Sequence, residues 1–185
     1  MVAVARTRVE VDRAGSSDDF NRLFLAEYAK VVSIAHRVLG NLREAEDVAQ
    51  DVFCSFYRQH PSDAPYAGPW LYRAAAHTAL NVVRGARRRS HWEKLGALDQ
   101  ERLQRVDEDL MNPQHAAERA EDRREVQAAL LRLPAKSAAV LALRYSGLSY
   151  AEVADALGVG IGQVGTLLRR AEALLRKEMH HATPQ

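Results

Sequence analysis

LSYAEVADALGVGIGQVGTLLRRAEALLRK, residues 148–177 of this chain of 185 residues, has the pattern of two helices joined by a tight glycine turn. Ser149 followed three residues later by Glu152 is a capping box and predicts a helix that begins directly after the serine. Gly158 is placed for the left-handed turn that ends such a helix, and Ala154 is small enough for a second helix to cross there. The stretch therefore predicts a helix-turn-helix, with an ordinary helical hairpin as the alternative.

In the N-terminal half of the chain, apolar residues recur at helical spacing in three segments. The first predicted helix covers about residues 20–39 and the second covers 43–59. HPSDAPYAG, residues 60–68, ends the second helix because it contains two prolines and a glycine. A third helix is predicted over 69–89, with a proline at its first position. Three amphipathic helices with short connections predict a compact helical domain.

The rest of the chain contains a connecting segment and two further predicted helices, one from about residue 121 to Pro134 and one over 137–145. Residues 93–122 contain few large apolar residues, a net acidic charge and an Asn-Pro pair, which is the composition of a linker. The sequence therefore predicts an all-α fold of two small helical domains joined by a flexible linker. The predicted parts are a flexible arm at 1–17, a helical domain at 18–92, the linker at 93–122, the helix-turn-helix domain at 123–180 and a tail at 181–185.

Composition excludes several classes of protein. Apolar residues make up 47% and charged residues 27% of the chain, as is typical of a globular protein. No apolar run approaches the roughly 18 residues of a membrane span, and the N-terminus lacks the apolar core of a signal peptide. We therefore expect no membrane insertion and a cytoplasmic location. The only cysteine, Cys54, rules out an internal disulfide and is expected to pack as a small apolar residue, with a redox sensor as the alternative.

Catalytic and cofactor chemistry is not predicted by any spacing in the sequence. The seven histidines are scattered, and the pair His180-His181 has no acidic or cysteine ligand beside it. No glycine loop that would bind phosphate follows a strand pattern, and no nucleophile is spaced to meet a general base. We therefore expect no metal, no cofactor and no enzyme activity.

The charges are segregated along the chain, although the formal net charge is only +2. Acidic residues collect in REAEDVAQD, residues 43–51, whereas arginines collect in RGARRR, residues 84–89, and along the last helix. An anionic helix face would repel DNA phosphates, so it predicts a basic protein surface as its partner. The arginine-rich segments suit phosphate recognition. The alternative for the acidic face is a surface that is merely solvated.

In five stretches the sequence resembles the extracytoplasmic-function group of bacterial sigma factors, the short type with only two helical domains. The stretches are, in chain order, FNRLFLAEYAKVVSIAHRVLGN, REAEDVAQDVFCSFYR, AGPWLYRAAAHTALNVVRGARRR, LLRLPAKSAAVLALRYSGLSYAEVADALGV and the helix that follows it. Together they cover about residues 18–180. The resemblance implies a specificity subunit that directs core RNA polymerase to promoters and helps to melt the minus-ten element. It also implies control by an anti-sigma protein.

The resemblance further implies which residues bind each partner. The acidic helix is expected to bind the clamp helices of the polymerase's largest subunit, and the flap of the second-largest subunit is expected as a further contact. The expected polymerase-binding residues are Glu46, Asp47, Gln50 and Asp51. The expected minus-ten contacts with promoter DNA are Tyr66, Trp70, Tyr72, His77, Asn81, Arg84, Arg87, Arg88 and Arg89, because aromatic rings stack on separated bases and arginines follow the backbone. The expected minus-thirty-five contacts are Arg144, Ser149, Gln163, Thr166, Arg169 and Arg170.

Four positions depart from the family's usual pattern. His77 stands where asparagine is usual and Asn81 where aspartate is frequent, which alters the expected minus-ten contacts. Gly165 and Leu167 replace residues that are usually lysine or arginine. Each lost phosphate contact should flatten the salt dependence of DNA binding by about 0.9 in log–log slope. We therefore expect this domain to bind DNA weakly unless polymerase holds it.

A second interpretation is a free-standing helix-turn-helix regulator that binds operators without polymerase. It accounts for the C-terminal domain but leaves the acidic helix and the tryptophan–arginine helix without a role. Single residues also have structural alternatives. For Trp70 and Tyr72 the alternative is packing in the core, and for the arginine run at 87–89 it is a solvated charge cluster.

Overall fold

The computed structural model describes the backbone of residues 3–96 and 113–180 and the side chains of residues 17–86 and 121–180. Within these ranges the chain forms seven α-helices and no strand, so the predicted all-α fold is confirmed. The helices are α1 (Ala3–Leu39), α2 (Leu42–Gln59), α3 (Ala67–Gly96), α4 (Pro113–Arg132), α5 (Ala135–Tyr145), α6 (Tyr150–Leu157) and α7 (Ile161–His180).

The helices α1, α2 and α3 pack against one another as a first bundle. Asn41 caps α2, because its side-chain oxygen accepts a hydrogen bond from the Glu44 amide at 3.0 Å. The buried face of α2 includes Phe53 and Phe56, which are 2% and 0% exposed. On α3 the buried residues include several alanines, and such small side chains allow helix axes to approach closely. The polar faces of α2 and α3 are left toward solvent.

The helices α4 to α7 form a second bundle, in which α6 and α7 are the helix-turn-helix. The capping box is present: Ser149 Oγ accepts from the Glu152 amide at 3.2 Å, and Glu152 Oε2 accepts from the Ser149 amide at 2.8 Å. Gly158, with φ of +62°, ends α6 in the left-handed conformation that favours glycine. Val164 is fully buried near the start of α7. These features confirm the predicted helix-turn-helix.

Several predicted boundaries differ from the observed ones. The helix α1 begins at Ala3, so residues 3–17 extend that helix in place of the expected flexible arm. No helix was predicted for this segment because its sequence has no apolar stripe. It contains no proline that would interrupt a helix. Likewise α4 begins at Pro113, inside the predicted linker, because proline is well suited to the first turn of a helix. Of the predicted linker at 93–122, residues 93–96 continue α3 and residues 113–122 belong to α4, whereas residues 97–112 and the predicted tail at 181–185 lie outside the described residues.

The two bundles are in direct contact. The helices α5 and α6 pack on α3, α5 also packs on α1, and a continuous cluster of buried apolar side chains extends through both bundles. The polar and charged surfaces of α2, α3 and α7 are therefore presented by one body. None of the described helices combines the length and the apolar character that a bilayer crossing requires.

Candidate nucleic-acid and partner-binding surfaces

An acidic surface runs along α2. Asp47, Gln50 and Asp51 are exposed and Glu46 is half-buried, while the opposite face of the same helix is buried in the first bundle. Among the residues that the structure describes, no cation forms an ion pair with these three carboxylates. Their charge is therefore available to an external basic partner.

Cys54 shares this surface and corrects one expectation. It follows Asp51 by three residues on α2, and its side chain is exposed, so the prediction that it packs as an apolar residue is wrong. Helical spacing explains the error. The buried face of α2 includes Val52, Phe53 and Phe56, and position 54 lies on the opposite, exposed side of the helix.

A second candidate surface lies along α3. Trp70, His77, Asn81 and Arg84 are spaced seven, four and three residues apart, so they share one side of the helix. Asn81 Oδ1 accepts a hydrogen bond from Arg84 Nη1 at 3.2 Å. The pKa of His77 is lowered from its ordinary value, first by burial and then by the charges of Arg73 and Arg84. The imidazole is therefore neutral at pH 7 and acts as a hydrogen-bonding group, without adding charge.

Aromatic rings cluster at the N-terminal end of this surface. Trp70 is half-buried between Phe56, at 5.4 Å between ring centroids, and His60, at 4.9 Å. Tyr66 lies in the preceding loop; the residue is 46% exposed, and its hydroxyl is 3.5 Å from His60 Nδ1. The cluster holds two flat rings at the surface, where a separated base could stack. His60 was not among the residues predicted from the sequence, because the helical spacing of neither α2 nor α3 points to it.

Tyr72 does not belong to this surface, which corrects its predicted place among the minus-ten contacts. It is only 4% exposed, its hydroxyl donates to Glu27 Oε2 at 2.5 Å, and Lys30 Nζ lies 5.1 Å from its ring centroid. Burial, followed by the hydrogen bond to Glu27, raises the pKa of Tyr72 to about 12. The ring is closed off from a base in this arrangement. Arg87, Arg88 and Arg89 lie within α3, but their side chains fall outside the described part.

A third candidate surface is the outer face of α7. Gln163, Thr166, Arg169 and Arg170 are all exposed there. The first turn of α5 contributes Lys136 to the same place. An open groove is lined by Lys136, Gly162, Gln163, Thr166, Leu167 and Arg170. Lys136 was missed in the sequence, because only tertiary packing brings the start of α5 beside α7.

The remaining predicted minus-thirty-five residues, Arg144 and Ser149, lie near the N-terminus of α6. Arg144 Nη1 donates to the Leu148 carbonyl at 3.1 Å, and its guanidinium lies 5.5 Å from the Tyr150 ring centroid. The Ser149 hydroxyl donates to Glu152 Oε2 at 2.8 Å. Both side chains therefore have structural partners, although Ser149 itself is exposed.

The two unusual positions on α7 have distinct environments. A Cβ atom at Gly165 would lie 3.6 Å from Tyr150 Cε2, which is an ordinary van der Waals contact, so a methyl group fits there. Leu167 is half-buried and packs against the core, which gives its apolar side chain a structural role. In the described part of the chain, no group of three or more histidine, cysteine or acidic side chains is placed to hold a metal ion.

Two family models and several known proteins match this chain. The family model described as Sigma-70 region 2 matches residues 23–89, and the one described as Sigma-70, region 4 matches residues 123–175. The ECF RNA polymerase sigma factor SigW of Bacillus subtilis is 27% identical over 97% of this chain and 98% of its own length. The RNA polymerase sigma factor YlaC of the same organism is 30% identical over 88% of this chain and 92% of its own.

Two solved structures share the fold. CnrH in complex with the cytosolic domain of CnrY aligns with a TM-score of 0.54 at 21% identity, covering 92% of this chain and 93% of CnrH. The sigma factor RpoE in complex with the anti-sigma factor NepR from Bartonella quintana aligns with a TM-score of 0.50 at 20% identity, covering 88% and 97%. With two matching family models and relatives along nearly its whole length, the chain belongs to the extracytoplasmic-function group of the sigma-70 family of RNA polymerase sigma factors.

Proposed function

We propose that this chain is an alternative sigma factor that binds core RNA polymerase, directs it to specific promoters and helps to melt the minus-ten element. The observation that carries the proposal is the separation of three surfaces on one helical body. α2 presents an acidic surface, α3 an aromatic and polar one, and α7 a polar surface rich in arginine. A basic protein surface would bind the acidic surface, and two parts of a promoter would bind the other two.

The acidic surface of α2 binds the clamp helices of the polymerase's largest subunit through Glu46, Asp47, Gln50 and Asp51. Three exposed or half-buried carboxylates without a described cationic partner favour a basic protein over DNA, since phosphates would be repelled. The flap of the second-largest subunit is a further contact of the same complex. As a partner of polymerase, the chain works in the cytoplasm.

Charge reversal on α2 tests this docking. Asp47→Lys combined with Asp51→Lys should abolish capture of core polymerase and leave the thermal unfolding midpoint nearly unchanged, because both side chains are exposed. The matched control is Asp63→Lys combined with Asp155→Lys, which makes the same charge change at two exposed positions outside α2. Equal capture of polymerase by both double variants would exclude the acidic surface as the docking site.

The surface of α3 receives bases of the melted minus-ten element. Tyr66 and Trp70 supply flat rings, His77 and Asn81 supply hydrogen-bonding groups, and Arg84 begins a cationic track. Arg87, Arg88 and Arg89 continue along the same helix. A base that leaves the stack costs a few kcal/mol, and a stacking pocket offsets that cost. Tyr66→Ala and Asn81→Ala should reduce the permanganate reactivity of thymines in the minus-ten element. Because both side chains are exposed, such a loss would not be explained by misfolding of the variants.

The outer face of α7 contacts the minus-thirty-five element. Gln163 and Thr166 reach base edges, whereas Arg169 and Arg170 contact phosphate or guanine. Lys136 stands at the rim of the same groove and supplies a further phosphate contact. Arg144 and Ser149 act at the N-terminus of α6, where they hold the helix start. Lys136→Gln should weaken binding equally on all promoters, while Gln163→Ala should change promoter preference.

An anti-sigma protein regulates the chain in this proposal. The support is the pair of solved structures of similar fold, one of which is described as a complex with an anti-sigma factor. Pull-down of the chain from its native cell is the direct test, and recovery of polymerase alone under all growth conditions would contradict a stable inhibitor.

Run-off transcription with core polymerase, followed by mapping of start sites, tests the function as a whole. Core polymerase plus this chain should initiate at a set of promoters that core polymerase does not use alone. The competing function is a regulator that acts without polymerase. Tight, specific gel shift of duplex promoter DNA by the isolated chain, together with no effect in run-off transcription, would establish that function instead. In the proposed role the chain is a non-catalytic specificity subunit, as its relatives' names as sigma factors suggest.

A further inference from the structure

His60 links the two surface rings of the aromatic cluster at the N-terminal end of α3. Its ring centroid lies 4.9 Å from that of Trp70 and 5.7 Å from that of Tyr66, and it also contacts Phe56 at 5.1 Å. Among the aromatic rings that the structure describes, His60 is the only one in contact with both Trp70 and Tyr66. The mutual placement of those two rings therefore depends on the imidazole.

The backbone holds His60 in one place. His60 caps the C-terminus of α2 with φ of −136° and ψ of 147°, and its amide donates to the Phe56 carbonyl at 2.9 Å. Pro61 follows, and a residue before proline favours this extended conformation. The loop then turns through two backbone hydrogen bonds: the Ala64 amide donates to the Pro61 carbonyl at 3.2 Å, and the Ala67 amide to the Ala64 carbonyl at 2.9 Å. The position of the imidazole is therefore set by α2 and the loop.

The imidazole meets the two rings at steep angles. The interplanar angle is 61° with Trp70 and 86° with Tyr66, so each pair has the edge-to-face arrangement that aromatic rings favour. The Tyr66 hydroxyl lies 3.5 Å from His60 Nδ1, at the outer limit of a hydrogen bond. Tyr66 is exposed and makes no other ring contact in the described part of the chain. Without the imidazole, the Tyr66 ring would be free to change rotamer.

We propose that His60 is a positioning residue for minus-ten recognition, whose imidazole holds the Tyr66 and Trp70 rings in the orientation that receives an unstacked base. The proposal rests on the proposed function as a sigma factor, and it adds a residue that acts through its neighbours. A pocket whose rings are already in place binds a base without the entropy loss of ordering them. Replacing the imidazole with a hydrogen atom, as in His60→Ala, should therefore weaken base capture about 3- to 10-fold.

This role separates base capture from polymerase binding. His60 follows Asp51 by nine residues, which is about 14 Å along the direction of α2, so a change at position 60 leaves the acidic surface unaltered. His60 is also only half-buried, whereas its neighbour Phe56 is the fully buried ring that anchors α2 in the first bundle. Variants at position 60 should therefore keep their affinity for core polymerase while they lose affinity for unstacked bases.

The test measures binding of holoenzyme to a single-stranded oligonucleotide that carries the non-template minus-ten sequence of a promoter mapped by run-off transcription. His60→Ala should bind it about 3- to 10-fold more weakly than the unaltered chain. His60→Phe restores a ring and should come within about 2-fold of the unaltered chain. His36→Ala is the matched control, because His36 is an exposed histidine on α1 outside the aromatic cluster. All four chains should capture core polymerase equally.

A double-mutant cycle shows whether His60 acts through Tyr66. If it does, the loss of oligonucleotide affinity in His60→Ala combined with Tyr66→Ala should be smaller than the product of the two single losses, whereas independent residues give the full product.

Four results would overturn the proposal. Two concern the single variants: unaltered oligonucleotide binding by His60→Ala, or binding by His60→Phe that is as weak as that of His60→Ala. The third is a full product of losses in the cycle, and the fourth is loss of core-polymerase capture in His60→Ala, which would indicate a role in folding alone. The proposed function has its own test, because failure of the unaltered chain to direct run-off transcription would refute the sigma-factor assignment itself.

Discussion

Gly165 allows a gain-of-contact experiment on the DNA-reading helix. In Gly165→Arg the new Cβ atom meets Tyr150 Cε2 at 3.6 Å, an ordinary van der Waals contact, so the first atom of the side chain requires no movement of α6. An added phosphate contact steepens the log–log salt dependence of promoter binding by about 0.9. Between about 50 and about 200 mM salt, the loss of affinity should then exceed that of the unaltered chain by about 3.5-fold. The assay is holoenzyme–promoter affinity at several salt concentrations.

Gly165→Ala is the matched control for this experiment. It removes the conformational freedom of glycine inside α7 and should stabilise the chain by about 0.5–1 kcal/mol without adding charge. Both variants should therefore unfold at higher urea concentration, but only the arginine variant should change the salt slope. If the two variants give the same slope, position 165 does not face phosphate, and the explanation for weak DNA binding by this domain is refuted.

Three further predictions concern stability. Phe56→Ala removes a fully buried ring and should lower the free energy of unfolding by about 3–5 kcal/mol, measured by urea denaturation; a loss below about 1 kcal/mol would contradict the packing of α2. Because the pKa of His77 is lowered in the folded chain, its neutral form is favoured, and stability should fall as pH drops below about 6.5. Thermal melting from pH 7.5 to 5.5 should show a smaller loss in His77→Asn. Glu152 has a pKa of about 2, below its ordinary 4.5, so its contribution should be lost as pH falls through that window. The pair with Lys30 is more than one-third exposed, and Glu152→Gln, which keeps a cap-compatible side chain, should therefore cost only about 0.5–1 kcal/mol at pH 7.

Local features of the chain were predictable because their causes lie within a few residues. The capping box of Ser149 and Glu152 and the left-handed turn at Gly158 were read correctly from spacing. So was the exposed acidic face of α2, since apolar residues at helical intervals fix which side of a helix is buried. The starts of α1 and α4 were misplaced, because an amphipathic pattern is the main signal and neither segment has one.

Some candidate site residues were placed correctly from the sequence, and others were not. Asp47, Asn81 and Arg170 are exposed, as their helical positions implied. Tyr72 was expected at the DNA surface but is buried beside Glu27, since the spacing of α3 alone does not tell which neighbour covers each side.

The positions of most helices, the turn between α6 and α7, and the signs of charge on α2 and α7 could be predicted, because they depend on propensity and spacing over a few turns. Three contacts became known from the fold alone: Lys136 lies beside Arg170, His60 packs against Trp70, and Lys30 pairs with Glu152 across the bundles. Each of them joins residues that lie on different elements of the fold. Their partners are set by how whole helices pack, and that packing is the sum of many weak apolar contacts with no local signature.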